Sequence, residues 1–322
     1  MSAGDAMPSD AVLAIDKPSG MTSFDVVRRI RGATGVRRVG HGGTLDPLAS
    51  GVLPVCLGEA TKLAQFLLGA DKEYLVTIRL GVETDTDDAD GAPTAERDPQ
   101  GVDEAAIRQA LERFRGPIQQ VPPSYSALKR DGRPMYAYAR AGAPIAAAPR
   151  AVVIHALELT AFDGPAALAL RVHCSKGTYI RSIARDLGRA LGVGGHVTAL
   201  RRTRSGPFSI DAARPLAAVL AALAERRPAD LPIVEPAAAL RHLERRAVDA
   251  RTANDLRVGR QIPWETIAAD DVPTPVCVVD GAGALVAVAE RRPDGLARTI
   301  RVFGRGPQAA PEKSAQEVSP TG

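Results

Sequence analysis

The sequence predicts an α+β protein of two domains, and three observations carry that prediction. Strand-like and helix-like segments succeed one another through roughly the first 245 residues, with no internal repeat. A composition shift follows, in which Ala-rich helical stretches give way to short apolar strands separated by Gly-containing turns. The 322 residues, 45% of them hydrophobic and 24% charged, are enough to give each of two domains a core of its own.

Residues 1–10 carry acid and proline and no apolar h-region, so they read as a disordered leader and not as a signal peptide. Residues 12–15 form a short strand that ends in the turn Lys17-Pro18-Ser19-Gly20. Thr22 or Ser23 caps a helix over 24–32, whose Val26, Val27 and Ile30 make an apolar stripe. Arg28, Arg29, Arg31, Arg37 and Arg38 give five arginines in eleven residues, a surface suited to phosphate because the planar guanidinium donates two hydrogen bonds at once.

Residues 40–62 read GHGGTLDPLASGVLPVCLGEATK. Pro47 fixes its own φ and pushes Asp46 out of the α region, while Gly40, Gly42 and Gly43 allow tight backbone beside it. The apolar run 52–57 anchors this loop in a core. An acid on a stiff, anchored loop is how a protein holds one carboxylate still, although a lone Asp-Pro turn capping its own backbone looks the same in isolation.

Residues 75–80 alternate as a strand. The acidic run over 83–91 reads as a turn: counted from Asp85 as a calcium loop, the fifth place is Ala89 and the glycine falls one place late, at Gly91. Helical spacing of Ile107, Ala110, Leu111 and Phe114 predicts a helix over 103–114, closed by Gly116-Pro117. An insertion runs from 122 to about 150, with Lys129, Arg130, Arg133 and Arg140 among Tyr125, Tyr136 and Tyr138. Aromatics stack on bases while cations hold phosphates, so this mixture fits a flap that grips RNA.

Two strands, 152–159 and 168–174, lead into Ser175-Lys176-Gly177-Thr178, which lacks the upstream glycines of a P-loop. An amphipathic helix over 180–191 has Arg181 in its first turn and is broken by Gly192, Gly194 and Gly195. A strand over 197–208 carries Leu200-Arg201-Arg202-Thr203-Arg204. Helices over 215–223 and 236–243 follow. Arg257-Val258-Gly259-Arg260 then introduces strands near 276–279, 285–289 and 299–303, and 306–322 is a tail without a core.

A net charge of +4 and a pI near 9.1, carried mostly by arginine, fit an anionic partner. Cys56, Cys174 and Cys277 lie far apart without CxxC spacing, so they read as reduced thiols and not as a disulfide framework or zinc site. No stretch of about twenty apolar residues could span a bilayer, which places the protein in the cytoplasm.

The 40–62 string resembles the signature of the TruB family of bacterial tRNA pseudouridine synthases, and further motifs match in the family's order. These are Asp16-Lys17-Pro18-Ser19-Gly20 with Thr22-Ser23, Lys72-Glu73-Tyr74, Pro122-Pro123 with Tyr125-Ser126-Ala127, and Ser175-Lys176-Gly177-Thr178-Tyr179-Ile180-Arg181. The resemblance implies a mixed, largely antiparallel sheet flanked by helices and loops over 11–245, and a PUA-like RNA-binding β domain over 246–305. It implies isomerisation of the T-loop uridine at position 55 of tRNA, with the T-stem-loop as partner and a monomeric enzyme. Asp46 would be the catalytic carboxylate. Tyr74 would stack on the target uracil and assist proton removal, and Leu200 would wall the pocket. Arg181 would pair with Asp46 and favour its ionised form. His41 would enter the RNA loop and fill the space left by the flipped base. The reaction breaks N1–C1′ and joins C5 to C1′, so it needs no cofactor, metal or energy source, and no ligand-spaced His/Cys/Asp set stands in the sequence. The competing readings are an RNA-binding or RNA-folding protein without catalysis, and a phosphate-handling enzyme on the glycine loops.

Overall fold

A computed structural model describes residues 9–304 except 127, 131, 144 and 146. The leader before residue 9, the tail over 306–322 and Ala127 of the Tyr125 motif lie outside the described residues. The chain divides into two compact units between His242 and Leu243.

In the first unit the chain runs β1 (Val12–Lys17), α1 (Ser23–Thr34), β2 (Val39–His41), β3 (Ser50–Leu57), α2 (Ala64–Leu68) and β4 (Lys72–Leu80). A hairpin of β5 (Val82–Thr84) and β6 (Pro93–Glu96) follows, then α3 (Glu104–Leu111) and β7 (Gly116–Gln120). The insertion holds a two-residue hairpin, β8 (Lys129–Arg130) with β9 (Arg133–Pro134), and α4 (Met135–Arg140). The remainder is β10 (Arg150–Phe162), β11 (Ala167–Cys174), α5 (Ile180–Ala190), β12 (Gly195–Ser205), β13 (Phe208–Ser209), β14 (Arg214–Pro215), α6 (Leu216–Ala224) and β15 (Ile233–Val234).

One sheet dominates, in the order β14-β1-β3-β12-β4-β11-β10-β7, with β2 on β3, β13 on β12 and β15 on β1. Within this sheet, among the described residues, only the β1–β14 and β3–β12 pairings are parallel, so it is mixed and largely antiparallel, as the resemblance implies. Strand β4 shows why the sheet has an inner and an outer face. Its alternation sends Tyr74, Val76, Ile78 and Leu80 into the core and leaves Glu73, Leu75, Thr77 and Arg79 outside. The core sits between the inner face and α1, α3, α5 and α6. Helix α1 opens with a full capping box: Asp25 N donates to Thr22 Oγ1 and Thr22 N to the Asp25 carboxylate, each at 3.1 Å.

The second unit contains β16 (Glu244–Ala247), α7 (Ala250–Arg257) and three strands, β17 (Val276–Val279), β18 (Leu285–Arg291) and β19 (Ala297–Val302). They form a four-stranded sheet in sequence order, packed with α7 and the fully buried Trp264 into a separate core. Two expectations need correction. The helix expected over 236–243 is a single 3₁₀ turn, Ala238–Leu240. Alanine-rich composition does not sustain so short a helix, and one turn suffices to bury Ala239 and Leu240. The stretch before Arg257, given no element from sequence, is α7, capped by Asp249, whose Oδ1 accepts from Thr252 N at 2.7 Å. Among the described residues no helix is long and apolar enough to cross a membrane.

Candidate active site

Asp46 lies on the loop between β2 and β3, and the segment after β1 straps that loop down. Leu45 N donates to Ser23 Oγ at 2.8 Å, and Gly20 N donates to Pro47 O at 2.8 Å. Ser19 Oγ donates to Leu48 O at 2.8 Å. Lys17 at the end of β1 is wholly buried, its Nζ donating to Pro18 O at 2.9 Å and Met21 O at 2.7 Å, with Pro47 O at 3.5 Å. Burial pushes the Lys17 ammonium down to about 8, the Asp46 carboxylate acting the other way. The TLDP turn is therefore held on both sides of the acid, which is what a fixed carboxylate requires.

The Asp46 carboxylate is about one-third exposed, and its Oδ2 accepts from Arg181 Nε at 2.9 Å. Arg181 itself is buried and all three of its guanidinium nitrogens are used. Nη1 donates to Thr86 O at 2.8 Å, Nη2 donates to Tyr125 O at 2.9 Å, and Asp88 Oδ2 stands 3.5 Å from Nε. One side chain thus ties the Asp46 loop to the acidic 83–91 turn and to the start of the insertion. The α5 helix that carries it has no side-chain cap on Tyr179. The Gln120 amide supplies the equivalent, accepting from Tyr179 N at 2.7 Å and donating to Tyr179 O at 3.0 Å. Further along α5, Ser182 Oγ and Arg185 Nη2 both donate to Val121 O, and Arg185 Nη1 pairs with Asp87 at 3.0 Å. Burial pushes the carboxyls of Asp87 and Asp88 up; Arg185 opposes this most at Asp87, and the Thr86 hydroxyl most at Asp88. The acidic run is a turn, as read, but two of its acids face inward and brace the arginines of α5.

A cavity of about 330 Å³ opens beside Asp46, at the lower end of the roughly 300–1,000 Å³ range of small-molecule sites. Asp46, Tyr74, Arg181 and Leu200 all line it, together with Lys72, Tyr179 and Arg202. Burial pushes the Tyr74 phenol up, so the neutral phenol is the form that meets a substrate near neutral pH. Burial pushes the Lys72 ammonium down to about 8, and its Nζ donates to Leu68 O at 2.8 Å and Ala70 O at 2.5 Å. His41 is not among the lining residues. It ends β2, half-buried, with Nδ1 accepting a long 3.4 Å bond from Gly43 N, and burial pushes its imidazole down.

Sequence reading passed over Lys72, Arg202, Asp87, Asp88 and Gln120 as site residues. A signal existed for Arg202: the alternation that turns Leu200 inward on β12 turns Arg202 inward too. For Asp88 there was none, since its burial depends on an arginine from another element.

A family model described as TruB family pseudouridylate synthase (N terminal domain) matches residues 31–180, which contain Asp46 and Tyr74. A second, described as tRNA pseudouridylate synthase B C-terminal domain, matches residues 181–243, which contain Arg181 and Leu200. The chain is 53% identical over 251 residues to tRNA pseudouridine synthase B of Aromatoleum aromaticum, covering 78% of this chain and 80% of that one. It is 53% identical over 226 residues to tRNA pseudouridine synthase B of Burkholderia pseudomallei, covering 70% and 74% respectively. A chain in the crystal structure of a Cbf5-Nop10-Gar1 complex superposes with a TM-score of 0.70 at 30% identity, covering 88% of this chain and 78% of that chain.

Proposed function

The chain belongs to the TruB family of pseudouridylate synthases, and on that premise we propose that it isomerises the T-loop uridine at position 55 of tRNA to pseudouridine, with Asp46 as the reacting carboxylate. The observation that carries this reading is the 2.9 Å Arg181–Asp46 pair, set in a cavity that Tyr74 and Leu200 also line. A purely RNA-binding protein has no use for a buried arginine that is anchored by two backbone carbonyls and turns its third nitrogen to a carboxylate beside a cavity.

The target base is buried in folded RNA and must be flipped out, at a cost of a few kcal/mol. Tyr74 packs against the flipped uracil as a neutral phenol, and Leu200 closes the pocket behind it. Arg181 keeps Asp46 aimed as solvent is displaced. Asp46 then acts as nucleophile or as base while N1–C1′ breaks, the uracil turns, and C5 bonds to C1′. The C5 hydrogen leaves as a proton and N1 gains one, so atoms and charge balance without redox chemistry.

Base flipping is offset by contacts elsewhere. Arg28, Arg29, Arg31, Arg37 and Arg38 are all exposed and supply phosphate contacts. The insertion closes over the RNA, His41 fills the gap the base leaves, and the second unit acts as a PUA-like handle for the rest of the tRNA. The enzyme works as a monomer without cofactor or metal. Release of tritium from tRNA transcript labelled at uridine C5 tests the reading: stoichiometric release from one T-loop position is expected, and background release overturns it.

A further inference from the structure

Below the Asp46 loop lies a cation that the chemistry above does not use. Arg202 on β12 is 1% exposed, one of the largest wholly buried side chains in the protein. Among the described residues it forms no ion pair; three of its hydrogen bonds go to backbone oxygens, and its guanidinium also bonds the Tyr74 phenol. Nε donates to Val52 O at 2.8 Å, Nη1 to Thr44 O at 3.1 Å and Nη2 to Gly43 O at 3.2 Å. Gly43 and Thr44 precede Asp46, while Val52 lies beyond it in β3. One planar guanidinium therefore bridges the two arms of the loop that carries the carboxylate.

The chain packs closely here. Gly51 and Arg202 are partners in the parallel β3–β12 ladder, and a Cβ on Gly51, where φ is +104°, would lie 2.2 Å from Arg202 O. A side chain at Gly43 would begin 3.5 Å from Arg202 Nη1. Gly51 thus makes room for the Arg202 backbone, and at Gly43 a Cβ would meet the guanidinium at ordinary contact distance. A buried charge without a counter-ion is costly, and an apolar side chain of the same length would avoid that cost. No apolar side chain could tie three carbonyls from two arms of a loop together. Arg202 also lines the cavity, and its charge bears on Lys17, His41, Lys72 and Tyr74 around it.

We propose that Arg202 is a positioning residue for the isomerisation: it acts through the Gly43, Thr44 and Val52 carbonyls to hold Asp46 at its reacting distance. This rests on the function proposed above, and the wild-type protein in the same tritium-release assay tests that function separately. Three variants are compared: Arg202→Met keeps length without donors, Arg202→Lys keeps the charge but reaches one arm at a time, and Arg202→Ala leaves a guanidinium-sized space. Single-turnover rate and Kd are measured on a T-stem-loop RNA, and folding is followed by circular dichroism. Misplacement of a reacting group by about 1 Å costs on the order of 100-fold, so Met is expected to lose about 100-fold in rate and Lys about tenfold or more, with Kd within about threefold. Millimolar methylguanidinium is expected to restore part of the Ala rate and none of the Met rate, which a general loss of stability would not reproduce. Folded Met and Lys variants with wild-type rates overturn the proposal. So does a rate loss matched by an equal loss of RNA binding, and so does failure of all three variants to fold, which would assign Arg202 to stability alone.

Discussion

Arg181→Met removes the one side chain that joins the Asp46 loop, the acidic turn and the start of the insertion, and its cost can be worked out contact by contact. The Asp46 pair is about one-third exposed and contributes little, about 1 kcal/mol or less. The bonds to Thr86 O and Tyr125 O are worth about 1 kcal/mol each. Asp88 decides the total. Its side chain is only 8% exposed, and without Arg181 it keeps the Thr86 hydroxyl and Asp90 N but has lost its cation. Stripping the partner from a buried carboxylate costs about 3–5 kcal/mol, so a loss in that range is expected at pH 7. The loss should depend on pH with a definite sign. Burial already raises the Asp88 carboxyl, so the folded state favours its protonated form, and stability falls as pH rises through the raised value. Without Arg181 that carboxyl rises further. The variant's deficit should therefore be larger at pH 7 than at pH 4, since the need for a cation shrinks as the Asp88 carboxyl takes up its proton. Urea unfolding of both proteins at the two pH values measures this, and tritium release should show a rate loss of about 100-fold or more. A deficit below about 1 kcal/mol at pH 7, or one independent of pH, would refute the account of Arg181 as the buried cross-brace.

Asp46→Asn should abolish isomerisation while tRNA binding stays within about tenfold, roughly 1.4 kcal/mol, because removing a negative charge does not weaken attraction to phosphate; turnover near the wild-type rate in the purified variant would remove Asp46 from the chemistry. Trp264→Ala empties the second core and breaks the indole bond to Ala269 O, and should cost that unit about 3–5 kcal/mol. Heating should then show an early transition with stem-loop turnover unchanged, whereas a single lowered transition would contradict two separate cores. Deleting residues 243–322 should leave turnover on a short T-stem-loop intact but weaken full-length tRNA binding, with the log–log salt slope reduced by roughly 0.7–0.9 per lost phosphate contact. A truncated protein that folds but is inert on the stem-loop would contradict the division of labour.

Much of the fold could be read in the sequence because local signals agreed with the global structure. Thr22 and Asp25 mark the start of α1, and the alternation in β4 marks both a strand and its inner face. Helix α7 was hidden because only Thr252, Ala253 and Leu256 of it are buried, too sparse an apolar stripe to stand out in a polar window. At the site, Asp46, Tyr74, Arg181 and Leu200 stand in recognisable motifs, and the structure gathers all four around one cavity. What stayed hidden were charges whose burial is settled by partners distant in sequence. The alternation of β12 turns Arg202 inward but does not point to the Gly43, Thr44 and Val52 carbonyls that receive its charge. Asp88 reads as loop until Arg181 is brought to 3.5 Å. Patterns of period two or 3.6 report which face a residue is on, and say nothing of which strand lies next to it.

Asp46 and Arg181 are 135 residues apart in the chain, and Arg202 is 159 residues from Gly43. At translation rates of about 5–20 residues per second, the ribosome makes the acid roughly 7–27 s before the arginine that pairs with it. During that interval the contacts at hand are the early ones, Lys17 to Pro47 and Ser23 to Leu45, which span 30 and 22 residues. The nascent protein thus carries a strapped but unpaired carboxylate, with neither Arg181 nor Arg202 yet made. Both arginines stand at the loop only once β12 has been made and lies between β3 and β4.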